Sequence, residues 1–143
     1  MNNKIFKMSV LLMLIVFVSA SLHAQQGKMR KKVIDRNYNP ATVETISGAV
    51  TDISNLNTWG LHVKVKTDKG IIGVHLGPQW FLKDKITILK GDNISVTGSK
   101  VKIDAEDVII AKTVVKGIVS IQLRDDNGIP LWAGKGKGKG KFR

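Results

Sequence analysis

The 143-residue chain has no cysteine. That excludes disulfides, thiol catalysis, cysteine-held metal sites and a lipoprotein anchor on an N-terminal cysteine. It has no apolar run long enough to cross a bilayer as a helix, which takes roughly 20 residues. It lacks the Gly-x-Ser-x-Gly nucleophile motif and both phosphate-cradling glycine patterns. No stretch carries the periodicity of a long amphipathic helix. Acidic residues are scarce too, 11 against 23 Lys and Arg, for a net charge of +12. The sequence therefore offers no residue set for catalysis and none that implies a cofactor.

What is present begins with an export signal. Lys4 and Lys7 precede an uncharged run from Met8 to Val18, about 11 residues long, then small residues and Ala24. A basic start, a short apolar stretch and a small-residue exit are the order of a secretory signal peptide. Cleavage after Ala24 predicts a mature chain starting at Gln25, with Ala20 as the other cleavage point and an uncleaved anchor as the alternative. The expected location is the periplasm, with no transmembrane span after cleavage.

The remainder is long enough for one domain and too short for two. Its charge is unevenly placed. Residues 40–134 hold 11 basic and 10 acidic side chains, close to neutrality. The flexible segment 25–39 carries Lys28, Arg30, Lys31, Lys32 and Arg36 against Asp35 alone, and 135–143 carries Lys135, Lys137, Lys139, Lys141 and Arg143 against no acid. Basicity belongs to two tails. A Gly/Lys tail is expected to be extended and solvated, and to attract phosphates, anionic headgroups or acidic polymers by counterion release. The bland alternative is a solubilising tail without a dedicated partner.

Between the tails the pattern is one of strands. Leu61, Val63 and Val65 alternate with His62, Lys64 and Lys66, which places the two sets on opposite faces. Asp68-Lys69-Gly70 is a turn, and Ile71–Leu76 returns as the second arm of a hairpin. Val43–Ile53 reads as a strand with a bend or bulge at Gly48. Asn93–Lys102, Val108–Val115 and Ile118–Arg124 are further strands, the last closed by Asp125-Asp126-Asn127-Gly128. Pro78–Lys85 is the one short helical candidate. Three strands, a short connection and then more strands give an all-β, OB-like Greek-key barrel over 40–134. An SH3-like barrel and an open sandwich are the competing architectures.

Some pieces are more specific. Val74-His75-Leu76-Gly77-Pro78-Gln79-Trp80-Phe81-Leu82, Gly91-Asp92, Val96-Thr97-Gly98-Ser99, Leu123-Arg124-Asp125 and Gly128-Ile129-Pro130-Leu131-Trp132 together resemble a group of small exported OB-fold-like bacterial proteins. They are similar as well to the C-terminal domain of MamS/MamX-type magnetosome proteins. The likeness covers about Thr45 to Gly134. It implies a fold and an exported compartment but no reaction. Haem-binding or redox features found elsewhere in such chains have no counterpart here, since Cys-x-x-Cys-His is missing.

The candidate ligand-binding residues are Trp59, His62, Lys64, Lys66 and His75. With a two-residue Asp68-Lys69 turn, His62 faces His75 across the hairpin, about 5 Å apart at Cβ. A Gly70 bulge would shift the register by one and separate them. Two imidazoles without a carboxylate make a poor metal site, so no metal is assigned. Trp59 sits in a loop ahead of Lys64 and Lys66 and is the one aromatic suited to stacking, whereas Trp80, Phe81 and Trp132 are expected to plug the barrel. Asp104, Glu106 and Asp107 read as a solvated turn, because neighbours on a strand face opposite ways. The leading functional expectation is a non-enzymatic binding or accessory module whose tails meet an anionic polymer or surface, with a protein partner or a small ligand for the barrel. A nucleic-acid-binding OB protein is the second expectation, opposed by export and by the near-neutral domain. A metal- or redox-associated accessory protein is the third.

Overall fold

The computed structural model describes residues 37–56 and 60–135. Six strands run in the order β1 (Val43–Leu56), β2 (Gly60–Thr67), β3 (Gly70–Gly77), β4 (Asn93–Ile103), β5 (Glu106–Lys116) and β6 (Val119–Gln122). A single-turn helix, α1 (Gln79–Leu82), lies between β3 and β4.

One long strand makes the closed form possible. The first half of β1 pairs antiparallel with β4, from Val43 opposite Ser99 to Ala49 opposite Asn93. Its second half pairs with β2, from Ala49 opposite Lys66 to Leu56 opposite Gly60. A short parallel pairing of β3 with β5, Gly73 to His75 against Val108 to Ile110, then closes the circle β1-β2-β3-β5-β4. This is the five-stranded barrel with an interposed helix that the strand order predicts, and closure removes most free edges.

The alternating residues fill it as expected. Val63 and Val65 of β2 and Val74 and Leu76 of β3 point inward with Val50, Ile94, Val96, Ile109, Ala111 and Val114. Leu82 of α1, followed by Ile86 and Ile88, plugs one end. Pro78 precedes the helix in extended conformation, and the N–H groups of Phe81 and Leu82 donate to its carbonyl.

Several local expectations need correction. The register break in β1 lies between Val50 and Asp52 rather than at Gly48. Gly48 serves close approach instead, since a Cβ there would sit 2.0 Å from the Lys66 carbonyl oxygen. The last strand is shorter than 118–124 and ends at Gln122, because the N–H groups of Leu123 and Arg124 both turn to the Lys112 carbonyl. Beyond it Asp125–Gly128 does form a turn. The Asp125 carboxylate accepts from the N–H groups of Asn127 and Ile129, and Arg124 bridges back to Pro130. Asp104 and Ala105 form the β4–β5 turn with φ of 51° and 67°. Trp80 is not a plug: it is 44% exposed, while Phe81 and Trp132 pack on the core. Among the described residues no helix is long and apolar enough to cross a membrane.

Candidate functional site

The turn chemistry decides the first part of the site. Asp68 and Lys69 form a two-residue turn, so Thr67 opposes Gly70 and His62 opposes His75. Because Val63 and Val74 point into the core, the two histidines lie on the outer face. Their rings are 4.6 Å apart, and His75 Nδ1 lies 2.7 Å from His62 Nε2. A separation that short holds one proton between two neutral imidazoles, one nitrogen donating and the other accepting. Burial lowers the His62 pKa to about 4. His75 is lower still, at about 2, through burial first, then the neighbouring His62 and the Arg124 guanidinium.

Although it faces outward, His75 is only 4% exposed. Arg124 is fully buried nearby, and its Nη1 donates to the Ala111 carbonyl at 2.5 Å. The guanidinium carbon lies 4.8 Å from the Trp132 ring, a cation–π contact, and Trp132 meets Phe81 at 5.4 Å. The indole also rests on Gly77, where a Cβ would come within 2.5 Å of it. The segment after β6 is thus folded back over the barrel. Arginine suits the buried position because its planar fork is less strongly hydrated than an ammonium.

The N-terminal side of the domain joins the same cover. Gly128 lies under the Tyr38 ring, 2.1 Å from Cβ to Cδ1 were a Cβ present. Asn39 donates its N–H to Ser99 Oγ at 2.9 Å, and Thr42 Oγ1 meets the same hydroxyl at 2.9 Å.

The candidate residues divide accordingly. His62 and His75 are brought together. Lys64 and Lys66 are exposed on the same face of β2, opposite Gly73 and Ile71 of β3. Lys135 is exposed where the described chain stops. Trp59, Lys137, Lys139, Lys141 and Arg143 lie outside the described residues. Among the described residues no group of three or more His, Asp or Glu converges as a metal site. A cation at the imidazole pair would also have to displace the shared proton beside the positive Arg124. Asp107 spends its charge on Lys102 at 2.9 Å and Lys100 at 3.8 Å, as a solvated turn would. In the sequence Arg124 stands out only as the end of the expected strand 118–124 and within the family-like motif, and Tyr38 does not stand out. The signal for Arg124 was an arginine within an otherwise lysine-bearing domain.

The model of the MamS/MamX magnetosome protein family matches residues 42–121. This chain belongs to that family. The MamS/MamX match takes in the barrel from its first strand to β6 and stops before Arg124 and Trp132, so it is shorter at the C-terminal side than the expected 45–134. No curated protein matches this MamS/MamX member. Similar solved structures include apo TiaS, the tRNAIle2 agmatidine synthetase, at 20% identity and a TM-score of 0.42, covering 50% of this chain and 17% of that one. The chain thus spans less than a fifth of TiaS. An OBody, AM1L10, bound to hen egg-white lysozyme has 15% identity and a TM-score of 0.44 over 57% of this chain and 86% of that one. A small single-stranded DNA-binding protein from Streptomyces coelicolor has 14% identity and a TM-score of 0.43 over 57% and 94%. Nothing that those proteins bind or do passes to this chain at such similarity.

Proposed function

We propose that this MamS/MamX member is an exported, non-enzymatic accessory module that holds anionic polymers or surfaces through its two basic tails, with the barrel as their common mount. One observation carries the reading: the segment that follows the first basic stretch packs its Tyr38 on Gly128, within the cover that leads to the second. The two basic stretches thus flank one domain whose own charge is near neutral. Two weak segments sharing one polymer bind far more tightly than either alone, by raising effective concentration. Fluorescence anisotropy with heparin and with labelled single-stranded DNA tests this. The mature chain is compared with a variant in which Lys135, Lys137, Lys139, Lys141 and Arg143 are Gln. Loss of binding to both probes, with steep salt dependence in the parent, supports the reading. Unchanged heparin binding would overturn it. Mass measurement of the secreted chain checks cleavage after Ala24.

A nucleic-acid reading has one observation in its favour. Lys64 and Lys66 are exposed side by side on the outer face of β2, and OB-folds bind oligonucleotides on the face of strands two and three. DNA binding that survives tail neutralisation and disappears in Lys64→Gln/Lys66→Gln would move the function there. A protein partner for the barrel remains compatible with the accessory role and is sought by crosslinking in the export compartment.

A further inference from the structure

A second, smaller interior lies outside the barrel wall. Ile110 of β5 is fully buried without joining the apolar cluster inside the strands. Register sets it opposite His75 of β3 and Ser99 of β4, so the three share one outer face. All three are buried, as is Arg124 beyond β6. Residues 39–42 reach this layer at Ser99, and Arg124 reaches it at the Ala111 carbonyl beside Ile110. The layer is polar where the barrel is apolar. It encloses a permanent cation, the Arg124 guanidinium, which acts on His75, and the imidazole pair at 2.7 Å.

Such a pair has room for one proton between its rings. A second would set two N–H groups against each other with no acceptor between them. It would also add positive charge beside Arg124, where little water screens it. The other charged groups around the pair are already engaged. Lys64 follows His62 on the same face of β2, and Asp52, opposite Lys64 on β1, is bound to Lys90 at 3.2 Å. On the side of the cover, Lys112 bonds Asp126, and the Asp125 carboxylate accepts from N–H groups of its own turn. The Lys90 hydrogen bond holds Asp52 below the usual carboxylate range, Lys112 does the same for Asp126, and burial pushes the Tyr38 hydroxyl up. These three keep their charge in mild acid, whereas an imidazole open to water titrates near 6.5.

We propose that the imidazole pair is an acid-operated latch on the C-terminal cover: protonation of both rings drives Arg124 away and releases Leu123–Ala133 while the barrel strands stay paired. The latch works whatever the tails bind. Closed, the pair refuses the second proton. Open, the guanidinium withdraws, water reaches the rings, and both titrate as ordinary histidines near 6.5. Above that pH neither form gains protons and the cover stays shut. Each pH unit below it favours the open form by up to about tenfold per ring. The strands do not follow because they are held differently. β5 is hydrogen-bonded to β4 from Ile103 opposite Glu106 to Ser95 opposite Val115, whereas the cover meets the barrel at scattered points such as Arg124 on Ala111 and Trp132 on Gly77. Elements held by few contacts open before the whole domain unfolds.

The test uses the full mature chain carrying Trp59→Phe/Trp80→Phe, which leaves Trp132 as its single tryptophan out of 3. Acrylamide quenching of Trp132 is followed from about pH 7.5 to about pH 4.5, a window centred on the ordinary histidine value. Hydrogen exchange of peptides from β1 and β4 is measured on the same samples. Quenching should rise several-fold below about pH 6.5 while the strand peptides keep their protection. His62→Gln/His75→Leu should hold quenching low throughout. His62→Gln alone, which leaves an amide beside His75, should make the transition half as steep in protons taken up. Asp125→Asn/Asp126→Asn keeps an acceptor oxygen at each position and should leave the transition in place. Flat quenching in the parent overturns the proposal, as does loss of strand protection at the same pH as Trp132, which is unfolding of the whole domain. So does a full transition in both histidine variants, or its loss in Asp125→Asn/Asp126→Asn, which would make a carboxylate the trigger.

Discussion

At the residue scale the imidazole pair makes the molecule sensitive to acid. An unfolded histidine titrates near 6.5, whereas His62 in the fold titrates near 4 and His75 near 2. Above pH 6.5 both states carry neutral rings and the pair's contribution is intact. As pH falls below 6.5 the unfolded chain takes up protons that the folded one refuses, so stability drops with pH. By pH 4 the loss is about 3 kcal/mol for His62 alone, at ~1.4 kcal/mol per pKa unit. Thermal melts should therefore shift downward between pH 7 and pH 4, and the shift should shrink in His62→Gln/His75→Leu. An unchanged melting temperature across that range would refute the buried neutral pair. Two glycines give a second residue-level contrast. Gly77→Ala must push Trp132 aside and adopt a φ of 131°, for a loss of about 3 kcal/mol in urea unfolding. Gly70→Ala meets nothing within 4 Å and bears backbone strain only, about 1 kcal/mol. The opposition of His62 and His75 was legible in advance because a tight turn fixes register by counting. The setting of His75 was not, since the guanidinium acting on it belongs to Arg124, far along the chain.

At the scale of elements, the segment from Leu123 to Ala133 behaves as a cover and not as a strand. Its contacts are few but concentrated: Arg124 on the Ala111 carbonyl, Trp132 on Gly77 and Phe81, and the Leu131 N–H on the Leu123 carbonyl. Trp132→Ala should cost about 3 kcal/mol by removing a large ring from a packed site, read as a lower urea midpoint. Arg124→Leu should raise the His75 pKa by removing a neighbouring positive charge, visible in proton NMR titration. Strand order and barrel class were readable because β-branched alternation and turn residues are local signals. The end of β6 was not, for a bulge at Lys112 diverts two N–H groups at once. Trp80 misled for a related reason: Trp80 and Phe81 are neighbours on a single helical turn, and one turn presents only one of them to the core.

For the molecule as a whole, charge and stability are assigned to different parts. Removing Lys135 to Arg143 should leave the melting temperature within about 1 °C, because that segment has little apolar area to bury. The same deletion should flatten the salt dependence of heparin binding. A large fall in melting temperature would place the tail on the barrel. The uneven charge was fully legible in the sequence, as counting requires no fold. The meeting of Tyr38 with Gly128 was not, because it joins segments far apart in the chain. The contact of Tyr38 with Gly128 has a topological consequence. Where segments near the two ends of a domain touch, a short linker can join the ends and the chain can be opened elsewhere without disturbing its layers. The Asp104-Ala105 turn, with two non-glycine residues at positive φ, is the natural point to open it. A circular permutant with new ends between Asp104 and Ala105 should fold to the same barrel, with its former tails fused into one basic loop.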